Sequence, residues 1–291
     1  MKNNCLKFVS LLIVLMMTLC LIPTTIAEQN VNDVKVHDLS ELHLNFDISS
    51  IDASNISEKE ATKMSETARL AIEKEIEKEI EASVKGLSRN PSQTKVAQAV
   101  TLGRNTSFST ADTLNYSTSK WGVSLKTVTN STSSTSSKTS QEFAFAYPGV
   151  GGCGAWAYVG QKFNVSGSGS QNANIRMIGT ISGDTEALGG ATAGSKAELV
   201  IYDFTTGTSY KETIYNQSRS IAGVSRVNQS FNVGKTVLLQ GGHQYVAYLL
   251  IEGTASAVVA GEAGSDFGPW DGGIGDPAFQ GVKYSIIYID F

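Results

Sequence analysis

Three aspartates on a glycine-rich backbone, Asp266, Asp271 and Asp276 in the run from Gly264 to Pro277, are the residues of this chain that most invite chemistry. Hard cations such as Ca²⁺ take several oxygen ligands on a tightly turning backbone, and three carboxylates with neighbouring carbonyls offer such a set. Their spacing of five is not that of an EF-hand. Trp270 beside Asp271 presents an aromatic face next to an acid, the pairing a sugar site uses. Asp and Gly are also ordinary turn formers, and Trp270 can simply cap a sheet.

Glycoside hydrolysis needs two carboxyl groups roughly 5 to 10 Å apart, from any part of the chain. Glu142, Glu198, Glu212, Glu252, Asp203 and Asp266 are nominal candidates, and Glu252, ending a strongly apolar run shortly before Glu262, leads them. Other chemistries fail on spacing. No serine has glycine two residues to either side, so there is no nucleophile elbow. His243 is the only histidine beyond residue 100, and Gly241-Gly242-His243-Gln244 reads as a turn. No Cys-x-x-Cys or His-Glu-x-x-His is present, which argues against zinc. The glycines from Gly149 to Gly154 match dinucleotide-binding spacing, but that motif must open a helix and Ala155 to Val165 reads as a strand. Gly234-Lys235-Thr236 lacks the earlier glycine of a phosphate loop and continues as β.

The compartment follows from the first residues. Lys2 and Lys7 precede an apolar run from Phe8 to Ile22, and Thr25-Ile26-Ala27 places small residues where a signal peptidase cuts. Residues 1–27 therefore read as a signal peptide cleaved before Glu28, with the product secreted or held at the cell surface. The run is shorter than the roughly 18 to 20 residues of a spanning helix, and no later segment is long and apolar enough. Cys5 and Cys20 fall within the signal, which leaves Cys153 alone and no internal disulfide; it reads as a small buried hydrophobe. A net charge of −4 without a basic cluster argues against nucleic acid as a partner.

Composition changes near residue 100. Of the 28 glycines only Gly86 precedes Gly103, and Phe46 is the sole aromatic residue between Glu28 and Val100. Residues 28–56 show no period and read as a loosely ordered segment. Residues 57–90 read as an amphipathic helix: Ser57-Glu58-Lys59-Glu60 offers a capping box, and Gly86 and Pro91 offer stops. Ile72, Ile76, Ile80, Val84 and Leu87 line one face. That stripe needs a partner, whether the chain's own core, a second copy in a self-associating stalk, or a mature domain from which the helix is removed.

Residues 100–291 alternate with period two in short runs separated by Gly, Asn, Ser and Asp, which predicts eight to ten strands in a mainly β, antiparallel, jelly-roll-like β-sandwich. Within it, 11 of the 14 residues from Thr127 to Ser140 are Ser or Thr, and this tract reads as an exposed loop. Asn-x-Ser/Thr sequons stand at Asn55, Asn105, Asn115, Asn130, Asn164, Asn216 and Asn228. The sequence as a whole predicts an exported β-sandwich with a binding, adhesive or envelope-structural role, its ligand a glycan or Ca²⁺ and its partners cell-envelope components. The alternative is a secreted polysaccharide-active hydrolase or lyase. A third reading, a membrane-inserting toxin with the Ser/Thr tract as its hairpin, lacks an alternating apolar face.

Overall fold

The computed structural model describes residues 34–42, 44, 56–87, 97–122, 127–147, 149–220, 222–259, 261–270 and 279–291. The predicted signal peptide and most of residues 28–56 lie outside them. Fourteen strands follow in chain order: β1 (Lys35–His37), β2 (Gln98–Thr101), β3 (Thr106–Phe108), β4 (Thr113–Gly122), β5 (Thr127–Ser134), β6 (Thr139–Ala146) and β7 (Val150–Ser166). The chain continues with β8 (Ser170–Leu188), β9 (Thr192–Asp203), β10 (Thr208–Arg219), β11 (Gly223–Gln240), β12 (Gln244–Val258), β13 (Glu262–Asp266) and β14 (Gly281–Asp290). Among the described residues a short 3-10 helix (Leu39–Leu42) and one α-helix, α1 (Glu58–Gly86), lie between β1 and β2. Helix α1 is not long and apolar enough to cross a membrane, nor is any other among the described residues.

The strands form two seven-stranded sheets. The first runs β1-β4-β7-β12-β9-β10 with β2 also on β7; the second runs β11-β8-β13-β6-β14-β3 with β5 also on β6. Apart from the parallel β1–β4 and β2–β7 pairs, the ladders are antiparallel. The antiparallel β-sandwich preceded by a helix is thus the observed architecture. Alternate residues of both sheets meet inside, among them Phe163, Leu199, Tyr245 and Leu249 from the first and Ile175, Met177, Tyr284 and Ile287 from the second. At the other end the interior narrows to alanines and Cys153. Burial pushes that thiol up to about 12, so it behaves as the small hydrophobe expected.

Helix α1 forms a third layer on the outer face of the first sheet. Its capping box is present, with Ser57 accepting from the Glu60 N–H and the Glu60 carboxylate accepting from that of Ser57. The stripe of Ile72, Ile76, Ile80 and Val84 is buried against Trp156, Tyr158, Val200, Tyr248 and Leu250. Gly152 and Gly154 on β7 make room for it, since a Cβ on either would collide with the tip of Ile72 or Ile76. Each buried isoleucine contributes about 1.5–3 kcal/mol, against a few tenths for each charge pair along the helix. The stripe is therefore occupied by the chain's own sheet and is not available for self-association.

Two expectations are corrected. Part of residues 28–56 is ordered: β1 pairs with Ser119–Trp121, His37 stacks on Trp121 at 5.1 Å, and Lys35 meets Glu79 of α1 at 3.1 Å. The Ser/Thr tract is not a loop but β5, a turn and the start of β6, in register from Thr127↔Ala146 to Ser134↔Thr139. Threonine is a good strand former without being apolar, so a hydrophobic period does not reveal such a strand. Ser131 Oγ donates to the Ser117 carbonyl (3.1 Å), which ties the tract inward.

Candidate functional site

Of the predicted loop, Asp266 and Trp270 lie among the described residues and Asp271 and Asp276 lie outside them. Asp266 ends β13 at 8% exposure, and its Oδ1 accepts from the Gly268 N–H at 3.0 Å, the local bond of a turn. The Trp270 indole covers Gly268, where a Cβ would strike the ring, and stands 6.5 Å from Phe143. Among the described residues no cluster of three or more His, Cys, Asp or Glu is arranged to hold a metal.

The remaining carboxylates separate by surroundings. Glu212 pairs with Lys235 at 3.3 Å. Asp203 accepts from the Thr205 N–H and meets His243 Nδ1 at 2.9 Å, at the turn predicted for that histidine. Burial pushes the Asp203 carboxyl up, but the hydrogen bonds from His243 and Thr205 outweigh it and hold it low. Glu142 is sealed between the sheets, with its Oε1 accepting from Ser265 (2.5 Å) in a chain that continues through Ser195 to Thr185 at 2.6 Å per step. Glu252, with Glu198 beside it, faces the helix instead.

Strand register builds this last site. Asn216 on β10, Lys196 on β9 and Glu252 on β12 are directly paired across adjacent strands, and so share the outer face of the first sheet. Helix α1 supplies the opposing wall. Arg69, just off the isoleucine stripe, reaches over Gly194, where a Cβ would collide with its guanidinium. Glu66 (2.8 Å) and Glu73 (3.0 Å) fix its direction. Between the walls is a cavity of about 210 Å³ bordered by Arg69, Glu73, Lys196, Asn216, Gln217 and Glu252. Leu70 is the one large apolar side chain in its lining.

Lys196 Nζ lies 3.2 Å from Glu252 Oε1 and 3.4 Å from both Glu198 and Glu77, so it joins sheet to helix. Glu252 is 3% exposed, and its Oε2 has no hydrogen-bond partner among the described residues. Burial pushes its carboxyl up to about 7; Lys196 opposes the shift, and Glu198 and Glu73 add to it. The Lys196 ammonium is held above its ordinary range, because Glu252 and Glu198 outweigh the cost of burying it. A buried carboxyl pushed up by its surroundings and bordering a cavity makes Glu252 the candidate functional group among these carboxylates.

The sequence puts Glu252, at the end of its strongest apolar run, first among the candidate carboxyls, and it misses Arg69, Glu73, Lys196, Asn216 and Gln217. Lys196 and Glu198 carry the same signal, since both interrupt the apolar run that leads to Tyr202. The helical partners carry none, because they look like the other solvated charges of α1.

No protein-family model matches the chain, and no curated protein matches it significantly. A solved structure of the CBM22-1–GH10 modules of Clostridium thermocellum endo-1,4-β-D-xylanase 10B, complexed with xylohexaose, aligns at 10% identity and a TM-score of 0.19. The alignment covers 59% of this chain and 29% of that one, so the match spans under a third of the xylanase modules. A TM-score that low supports no conclusion about fold or ligand.

Proposed function

We propose that this chain is exported and works outside the cell as a binding module for neutral carbohydrate, with the cleft around Glu252 as its site. One observation carries the reading: two carboxyls, a guanidinium, an ammonium and two carboxamides converge on one cavity in which Leu70 is the one large apolar side chain. Two cations, Arg69 and Lys196, face two acids, Glu73 and Glu252. Cations that already hold carboxyl partners discriminate against ionic ligands, whereas donors and acceptors on all sides suit a polyhydroxylated one. The signal-like residues 1–27 support export.

Isothermal titration against neutral mono- and oligosaccharides, preceded by a glycan array, tests this. Binding that Glu252→Gln weakens by about tenfold or more supports the cleft. Binding lost instead in Trp270→Ala would move the site to the aromatic face beside Asp271. A melting temperature raised by Ca²⁺ would assign Asp266, Asp271 and Asp276 to calcium. Binding that neither variant weakens would end the cleft as the site, and no binding at all would end the carbohydrate reading.

The hydrolase reading keeps one favourable observation, because a carboxyl near 7 holds a proton where a general acid needs it. Reducing sugar released by the wild type and not by Glu252→Gln would establish it.

A further inference from the structure

The geometry points to a second subsite in line with the first, so that the helix–sheet seam is a groove for a linear oligosaccharide rather than a pocket for one sugar. This rests on the carbohydrate reading above. A smaller cavity of about 90 Å³ lies further along the same edge of α1, bordered by Ile80, Val84, Tyr202, Ser209, Lys211 and Tyr248. Glu252 borders both cavities.

Along the helix, the bordering residues Arg69, Glu73, Glu77, Glu81 and Lys85 recur every fourth position and keep to one edge. At 1.5 Å per residue they mark out about 24 Å. The sheet gives the same span independently. The row Glu252–Lys196–Asn216 sits six strand positions from the row Val246–Tyr202–Ser209, about 20 Å at 3.3 Å per residue.

The two ends differ in chemistry. The first is lined mainly by charged and amide side chains with Leu70 beside them, whereas the second has an apolar floor of Tyr202, Tyr248 and Ile80 with Lys211 and Ser209 at its rim. A sugar ring has both aspects, a C–H face that packs on an aromatic surface and a hydroxyl edge that hydrogen-bonds. At the waist between them stands Lys196, bridging Glu77 and Glu252.

Calorimetric titration of the full chain with glucose, cellobiose and cellohexaose, and with xylose and xylohexaose, tests the groove. A hexaose should bind about tenfold or more tighter than its monosaccharide. Ser209→Tyr, which fills the second cavity, should remove that gain and leave monosaccharide affinity unchanged. Lys211→Met, which adds no bulk, should remove part of it, and it decides the outcome if Ser209→Tyr melts abnormally. Equal affinity for short and long sugars, with neither variant affecting either, would overturn the groove and leave the first subsite standing. Failure of every sugar to bind would remove both.

Discussion

Glu142 and Glu252 meet the same strand from its two faces. Glu252 projects from β12 toward the helix, while the Glu142 carboxyl reaches from β6 across the interior to the next residue, Gly253, whose missing Cβ leaves it room. Both are buried, and both carboxyls are pushed up, chiefly by that burial. Their neighbours differ. Glu142 ends a chain of hydroxyls closed off by alanines, which is how a neutral acid is accommodated in a core. Glu252 has a lysine, further carboxylates and an adjoining cavity, the surroundings on which the proposed site rests. Burial and a raised pKa alone do not distinguish these two acids; the adjoining cavity does.

The largest expected effect removes the wall that gives Glu252 its cleft. Ile76→Ala should cost about 2–5 kcal/mol in urea unfolding, the loss of a large buried side chain, and it should weaken sugar binding more than any sheet-interior variant of equal cost. On the interior side, Gly253→Ala drives a methyl into the Glu142 carboxyl and should cost about 1–3 kcal/mol. Adding Glu142→Ala to it should recover part of that loss, and a strictly additive double mutant would count against the contact.

Next come the titrations. A carboxyl whose folded pKa lies above its unfolded value favours folding most below the unfolded value, and the advantage is lost as pH rises. For Glu252 the window runs from about 4.5 to about 7. Above it, Glu252→Gln should be more stable than the wild type by about 1–3 kcal/mol, and below pH 4.5 the two should converge. Glu142→Gln should likewise flatten the fall in stability above pH 4.5 without touching sugar affinity. The smallest effect is Ser131→Ala, which loses a hydrogen bond to Ser117 and should cost about 1 kcal/mol by thermal melting.

Much of this frame is legible in the chain, and the failures have physical reasons. The capping box, the isoleucine stripe and the apolar alternation of β8, β9, β12 and β14 act locally, so they can be read locally. β5 escapes because its pairing is a backbone matter and its serines and threonines carry no hydrophobic period. β1 escapes because three residues held by Trp121 and Glu79 have no local signature. The cleft escapes most fully. Glu252 is legible as a charge at the end of an apolar run, but Arg69 and Glu73 become its neighbours only when the helix docks, more than 170 residues away in sequence. The Asp266 to Asp276 run draws attention by composition, and where it is described it forms the turn its residue types equally imply.

The central claim is that Glu252 is a buried acid at the wall of the proposed binding cavity. Carbon-13 NMR of its carboxyl across pH, with and without saturating cellohexaose, tests it most directly, using Glu252→Gln to assign the signal. The account predicts a midpoint near 7 in the free protein that moves when the sugar binds. A midpoint near 4.5, unchanged by sugar, would contradict it.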